Sequence, residues 1–349
     1  MPATLENPFR GNGLTGLGPL PATDPEPVAA LLALCPAHAE TPLIQIPTLA
    51  QRAGAGAFWI KDERGRMGLG SFKALGAAYV IATDAATARN GGDWGTALSG
   101  QSYLTASAGN HGLSVAAGAR IFGAKATIYI AETVPEAFAE RLRAQGATVV
   151  RAGADYEASM AAAEAAAEAG LGTLLSDSSW PGYIDPPHRL MEGYLQMASE
   201  AVRQSETPPT HVFLQAGVGG MAGAVAAHLR AAWGDAPTIV VVEPEAAPAL
   251  IESIRAGQIV ETTGPVSAMG RLDCKTPSLI ALAGLARDAD LFVTITEEEA
   301  KAGTKALAEI GIGSTPSGSA GVAAALTGRL ELPSDARILT FVTEGDEGG

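Results

Sequence analysis

The chain has 349 residues, of which 47% are hydrophobic and 17% charged, enough apolar material for a large core shared between two lobes. Its 23 Lys and Arg against 37 Asp and Glu give a formal net charge of -14, which repels nucleic acid and other polyanions but leaves room for a local basic pocket. The two cysteines, Cys35 and Cys274, cannot build a disulfide framework and lack metal-type spacing, so reduced thiols in the cytoplasm are expected.

Along the chain, residues 1–18 carry Glu6 and Arg10 without an apolar run and do not resemble a secretory signal. Strands are predicted at 127–130, 148–150, 212–214, 238–242 and 338–342, where β-branched residues cluster, and helices at 135–145, 156–169, 188–204, 221–233 and 297–310. Strand, helix, strand is the repeating unit, which argues for an α/β fold with a largely parallel sheet. One crossover spans 127–150, with Thr133 as the expected helix cap and Gly146 as its stop. The Ala-rich stretch 160–169 contains Glu164 and Glu168 and is too polar to span a bilayer. Residues 177–187, rich in Ser, Pro and Gly, separate a smaller lobe from a larger one, and Pro186-Pro187 is read as ending that loop before a helix at His188. A second crossover runs from 211 to 242, and 264–278 reads as an irregular loop.

Three motifs bear on chemistry. Lys73 stands among small and apolar neighbours in Gly70-Ser71-Phe72-Lys73-Ala74-Leu75-Gly76, as an amine must if it is to hold a carbonyl cofactor covalently. Taken alone, it reads more readily as a solvated surface charge. Ser107-Ala108-Gly109-Asn110-His111-Gly112 allows close approach of a ligand, or is simply a turn that starts a helix. Gly217-Val218-Gly219-Gly220-Met221-Ala222-Gly223 follows a strand and opens a helix, so its backbone N–H groups and the helix dipole form a phosphate seat. Gly217, Gly219 and Ala222 also satisfy the dinucleotide fingerprint, with Glu243 closing the next strand, so an NAD-binding oxidoreductase stays open on this region alone.

In this order the three motifs resemble those of the fold-type II pyridoxal-phosphate enzymes, the group of threonine and serine dehydratases, threonine synthase and the tryptophan synthase β-subunit. The resemblance implies a two-lobed, tryptophan synthase β-like α/β fold with parallel sheets and pyridoxal 5'-phosphate between the lobes. A large cofactor-binding domain of residues 1–84 and 188–349 and a small domain of 85–187 are expected. Ser176-Asp177-Ser178-Ser179-Trp180-Pro181-Gly182-Tyr183, the stretch 209–219 and Thr343-Glu344-Gly345-Asp346 are similar to the diaminopropionate ammonia-lyases, a likeness that covers the chain from Asn7 to Asp346.

That likeness implies that Lys73 holds the cofactor and serves as base, and that Asn110 contacts the cofactor's phenolic oxygen. Gly217, Val218, Gly219, Gly220 and Met221 would take its phosphate, and Thr343 its pyridine nitrogen. A hydroxyl at that nitrogen favours elimination over transamination. Asp177 would orient a distal amine or assist proton transfer, or else is a turn residue. The expected reaction is β-elimination on a small amino acid such as 2,3-diaminopropionate, giving a 2-oxo acid and ammonia. The alternative is a dehydratase of β-hydroxy amino acids of the serine, threonine or hydroxyaspartate type. A cytoplasmic homodimer is expected, with no metal and no nucleic-acid or membrane partner.

Ala108 stands where the ammonia-lyase pattern has an aspartate, so L-substrates are expected. Arg271, Asp273 and Lys275 replace smaller or neutral residues of the pattern, either to bind a second carboxylate or as solvated loop charges. His188, His211 and His228 share no spacing that suggests a metal, and His111 is expected to shape the asparagine loop. A side chain at Gly219 is expected to intrude between phosphate and N–H groups. The chain stops soon after Asp346, so a C-terminal element of its relatives is expected to be shortened.

Overall fold

Eleven strands of the computed structural model, which describes residues 3–346, divide into two sheets. In chain order they are β1 (Thr4–Glu6), β2 (Leu43–Gln45), β3 (Ala57–Asp62), β4 (Ser102–Ala106), β5 (Lys125–Ile130), β6 (Thr148–Arg151), β7 (Thr173–Leu174), β8 (His211–Gln215), β9 (Thr238–Pro244), β10 (Leu291–Ile295) and β11 (Arg337–Val342). The larger sheet has the order β1-β10-β9-β8-β11-β3-β2, with five parallel inner strands and an antiparallel strand at each edge. The smaller sheet, β6-β5-β4-β7, is wholly parallel. Parallel neighbours need crossover helices, which cover both faces and explain why β8, β9 and β11 are runs of buried Val, Ile, Leu and Phe.

All five predicted strands are present, and four of the five predicted helices appear as Glu136–Ala144, Tyr156–Glu168, Gly220–Trp233 and Glu297–Ala308. The fifth, expected as one helix over 188–204, is two, Asp185–Gly193 and Leu195–Gln204, which meet at Tyr194. At this junction the packing is close: a Cβ at Gly193 would lie 2.2 Å from the Leu75 carbonyl, so the helix presses its backbone onto the turn that carries Lys73. Pro186 and Pro187 do not end the preceding loop; they sit in the first turn of the Asp185–Gly193 helix, where a missing N–H costs nothing. Thr133 does not cap the following helix, because its hydroxyl donates to the Ala154 carbonyl at 3.3 Å.

The site segments leave the carboxyl ends of parallel strands: the Lys73 turn after β3, the asparagine loop after β4, the glycine loop after β8 and Thr343 after β11. This is where ligands settle in open α/β sheets. The first of these segments is anchored by a fully buried ionic network. Arg66 and Lys61 share the carboxylate of Glu200, with Arg66 Nη2 and Lys61 Nζ each 2.7 Å from Oε2, and Arg66 Nε is 2.7 Å from Glu63. Thr41 completes it by donating to Glu63 at 2.6 Å. Among the described residues no helix is long and apolar enough to cross a membrane.

Breaking such a network leaves uncompensated buried charge, so Glu200→Ala is expected to lower unfolding free energy by about 3–5 kcal/mol, measured from urea denaturation. Burial works to raise the Glu200 carboxyl, but Arg66 and then Lys61 bring it down to about 2. A depressed carboxylate stabilises the fold above its ordinary value of 4.5, and that contribution is lost as pH falls from 4.5 towards 2. Glu200→Gln should flatten the stability profile over that window.

Candidate active site

The lysine turn is stitched to the chain leaving β11. Ser71 and Glu344 form an antiparallel bridge, Phe72 N donates to the Thr343 carbonyl at 3.0 Å, and Gly345 N donates to the Gly70 carbonyl at 3.1 Å. From this turn Lys73 Nζ donates to Asp177 Oδ2, with both side chains about one-fifth exposed, and lies 5.3 Å from the Phe72 ring centre and 5.8 Å from that of Tyr194. Burial alone would lower the amine's pKa, but the Asp177 charge, followed by Tyr194, outweighs it and holds the amine above its ordinary value. Burial likewise would raise Asp177, but Lys73 and then His111 hold its carboxyl well below the usual carboxylate range. Tyr194 is pushed up to about 12, chiefly by burial. Asp177 is thus an ion-pair partner of Lys73 rather than a solvated turn residue.

The glycine loop follows β8 as expected. Gly219 takes a left-handed φ of +95° before the Gly220–Trp233 helix and supplies no side-chain cap. The first turn of that helix is therefore suited to an anion. A Cβ at Gly217 would lie 3.0 Å from Cys274 Sγ, and one at Gly220 would lie 3.8 Å from the Asp177 carbonyl, which places the loop against the lysine's partner. Val218 accepts from Ser278 N at 3.0 Å, and the Met221 side chain is buried in the core. The expectation for Gly219 is corrected: its Cβ would meet Ala281 at 3.0 Å and Leu250 at 3.2 Å, on the core side of the loop. Glu243 is corrected as well. Its carboxylate accepts from Leu250 N at 2.7 Å and Ile251 N at 2.8 Å and is buried, with its pKa raised by burial to about 8. It starts a helix and cannot reach a ribose.

Asn110 opens the Asn110–Ile121 helix, and its amide donates to Glu344. Buried Glu344 also accepts from Thr315 and pairs with Arg271 Nε at 2.9 Å. His111 ties this helix to the small sheet through the Leu175 carbonyl, 2.8 Å from Nε2. Thr343 is buried, and its hydroxyl oxygen accepts from Gln215 Nε2 at 3.3 Å. A cavity of about 240 Å3 opens beside Asn110, Glu344 and Gly70 and is also lined by Arg64, Arg141 and Arg271. Among the described residues no cluster of three His, Cys, Asp or Glu is placed to hold a metal.

These residues fit pyridoxal phosphate. An amine, an uncapped helix start and a buried hydroxyl come from separate strand ends, and the buried Ser71 Oγ and Gln215 Oε1 have no hydrogen-bond partner in the protein. The fold is that of the fold-type II pyridoxal-phosphate enzymes. A family described as pyridoxal-phosphate dependent enzyme matches residues 34–344, and the chain belongs to it. Similar proteins include the diaminopropionate ammonia-lyase of Salmonella typhimurium, 32% identical over 348 residues, which covers 89% of this chain and 86% of that protein. The Escherichia coli enzyme of the same name is 30% identical over 335 residues, covering 88% and 84%. The crystal structure of the Escherichia coli enzyme in complex with D-serine superposes with a TM-score of 0.89 at 28% identity, covering 99% of this chain and 94% of the other.

Sequence reasoning missed Tyr194 and Glu344 as members of this cluster. Glu344 lay within a motif already singled out, so its signal was present. Tyr194 had none, because its place depends on the helix interruption beside Leu75. Gly219→Val, strained in φ and overpacked against Ala281, is expected to cost at least about 2 kcal/mol in cofactor-free protein. Gly220→Ala, whose Cβ would make only ordinary contacts from 3.7 Å, should change it by less than about 1 kcal/mol. Thermal unfolding of both variants checks this.

Proposed function

We propose that the chain catalyses pyridoxal-phosphate-dependent β-elimination on a small amino acid such as 2,3-diaminopropionate, and that Lys73 and Asp177 are its catalytic pair. The carrying observation is the Lys73–Asp177 contact, held between the glycine loop and the Thr343 segment. The activity of the Salmonella typhimurium and Escherichia coli relatives supports the reading. When bound, the cofactor supplies an electron sink for charge at the substrate's α-carbon.

Lys73 would hold the cofactor through its amine and, once released by the incoming substrate amine, take the α-proton. Asp177 would steady the lysine as it gains and loses that proton, and would orient a cationic distal group. Backbone N–H groups of residues 217–221 would hold the phosphate at the helix N-terminus. Asn110 would contact the phenolic oxygen. Because the Thr343 oxygen already accepts from Gln215, its proton is directed elsewhere and would be donated to the pyridine nitrogen. For 2,3-diaminopropionate, loss of the β-amine and hydrolysis of the released enamine consume one water and give pyruvate and two ammonia molecules.

The same reading takes residues 85–187 as the lobe around the smaller sheet and the remainder as the larger lobe. It also includes a cytoplasmic homodimer, and the unbridged Cys35 and Cys274 agree with a reducing compartment.

Lys73→Ala should abolish turnover, and borohydride reduction followed by peptide mass mapping should place the cofactor on Lys73; an adduct on another lysine refutes the assignment. Ala108 cannot move a proton, so one face of the substrate has a base and L-2,3-diaminopropionate should react about 100-fold faster than its D-isomer. Equal rates for the two enantiomers would assign a second base, with Asp177 the nearest acid to Lys73. Ala108→Asp should raise the D-to-L ratio.

A further inference from the structure

We propose that the Tyr194 hydroxyl is a further ligand-binding group of this site, donating a hydrogen bond to an anionic oxygen of what binds there, the cofactor's phosphate or the substrate's carboxylate. This role deepens the proposed function and rests on its placing of the cofactor beside Lys73. Tyr194 stands where the Asp185–Gly193 and Leu195–Gln204 helices meet, and its backbone N donates to the Met191 carbonyl at 3.1 Å. Its ring lies between the lysine turn and the glycine loop. Ring centres of Tyr194 and Phe72 are 5.0 Å apart, and Tyr194 Cε2 is 3.9 Å from where a Cβ at Gly220 would be. Gly220 opens the helix whose first turn is suited to an anion. On the other edge of the ring, a Cβ at Gly76 would come within 2.8 Å of both Cε1 and the hydroxyl, so glycine there lets the phenol lie against the start of the Gly76–Ala88 helix.

Tyr194 is 1% exposed, and its hydroxyl has no hydrogen-bond partner in the protein. Two other inward-facing phenols are satisfied: Tyr103 donates to Asp84 at 2.7 Å, and Tyr183 to the Leu174 carbonyl at 2.9 Å. Phenylalanine at position 194 would keep the ring's packing without the cost of an unmade hydrogen bond, so the hydroxyl adds nothing to the fold. The charged neighbour on this side is Lys73, its Nζ 5.8 Å from the ring centre. While protonated, that amine has only donors to offer, and it directs one at Asp177. It can give a hydrogen to the phenol oxygen but cannot accept the phenol's proton. Burial keeps that proton in place, with the pKa of Tyr194 pushed up to about 12. The result is a fixed, neutral donor for which the described residues supply no acceptor.

An anionic oxygen meets that need. Phosphate and carboxylate offer lone pairs, and a hydrogen bond to a charged acceptor is stronger than one between neutral groups. For phosphate, the phenol adds one side-chain donor to a seat otherwise built from the backbone N–H groups at the start of the Gly220–Trp233 helix. The second source is the amino acid, whose carboxylate is attached to the carbon bearing the amine that takes the place of Lys73.

The test compares wild type with Tyr194→Phe. Cofactor-free protein is titrated with pyridoxal phosphate by calorimetry, alone and with inorganic phosphate as competitor. Holoenzyme is titrated with L-alanine, which has the amine and the carboxylate but no leaving group, and followed by visible absorbance. Cofactor-free Tyr194→Phe is expected to unfold at the same temperature as wild type or a higher one, because it loses a donor that had no acceptor. If the phenol serves the phosphate, the dissociation constants of pyridoxal phosphate and inorganic phosphate rise by at least about tenfold. If it serves the carboxylate, that of L-alanine rises by as much while the other two hold. Unchanged dissociation constants for all three probes in folded Tyr194→Phe protein would overturn the inference, and so would a lower unfolding temperature without cofactor, which would assign the hydroxyl to the fold. None of these measurements needs turnover, so failure to release a 2-oxo acid from L-2,3-diaminopropionate would overturn the elimination reading and leave the ligand contact standing.

Discussion

A guanidinium with no solvent contact, that of Arg66, anchors the chain just before the lysine turn. Its partners come from three places in the chain: Glu63 three residues before it, Glu200 on a distant helix, and Thr41 and the Ala39 carbonyl in the segment before β2. Such a group tolerates few alternatives, since desolvated charge must be matched by several directed bonds or the chain rearranges. Immediately after it Met67 adopts a left-handed φ of 50°, and the chain reverses through Gly68 and Gly70 into the Phe72–Leu75 turn. The chain thus enters the Lys73 turn directly from a buried charge cluster.

Within the site, placement and electrostatics work together. Lys73 and Asp177, each about one-fifth exposed, reinforce each other's charge, which raises the amine and lowers the carboxyl against the effect of burial. Tyr194, raised to about 12 chiefly by burial, stays neutral beside them and adds an aromatic wall, its ring 5.0 Å from that of Phe72. Glu344 spends its charge on Asn110, Thr315 and Arg271, which joins the asparagine loop, the end of β11 and the 264–278 loop into one rim.

Much of this was legible in the residues. The strands β5, β6, β8, β9 and β11 carry β-branched runs, and the glycine loop announces a helix start through residue types that no packed helix interior would favour. The strand β3 escaped because it ends in Lys61 and Asp62, which read as surface charge until the network that buries Lys61 is known. The helix Leu279–Asp288 escaped for the opposite reason: nine of its ten residues are buried, so it has no polar face to set a period. Glu243 misled because a strand-end acid near a glycine fingerprint looks the same in sequence whether it meets a ribose or starts a helix. The sequence leaves Arg271 divided between ligand and solvent, and could not show that it pairs with buried Glu344.

The order of strands in the larger sheet has a consequence for how the protein is made. The strand β11 lies between β8 and β3, yet it follows both of them, and every other strand of the described residues, in chain order. Until then β3 and β8 have a gap between them, and the Lys73 turn lacks the Thr343 and Gly345 backbone to which it is tied. The smaller sheet, drawn from 102–174 alone, can assemble while synthesis continues. A chain lacking β11 would therefore contain the lysine but not the Thr343 and Gly345 backbone to which its turn is tied. The lysine turn is therefore completed only once β11 has been made and paired with its two neighbours.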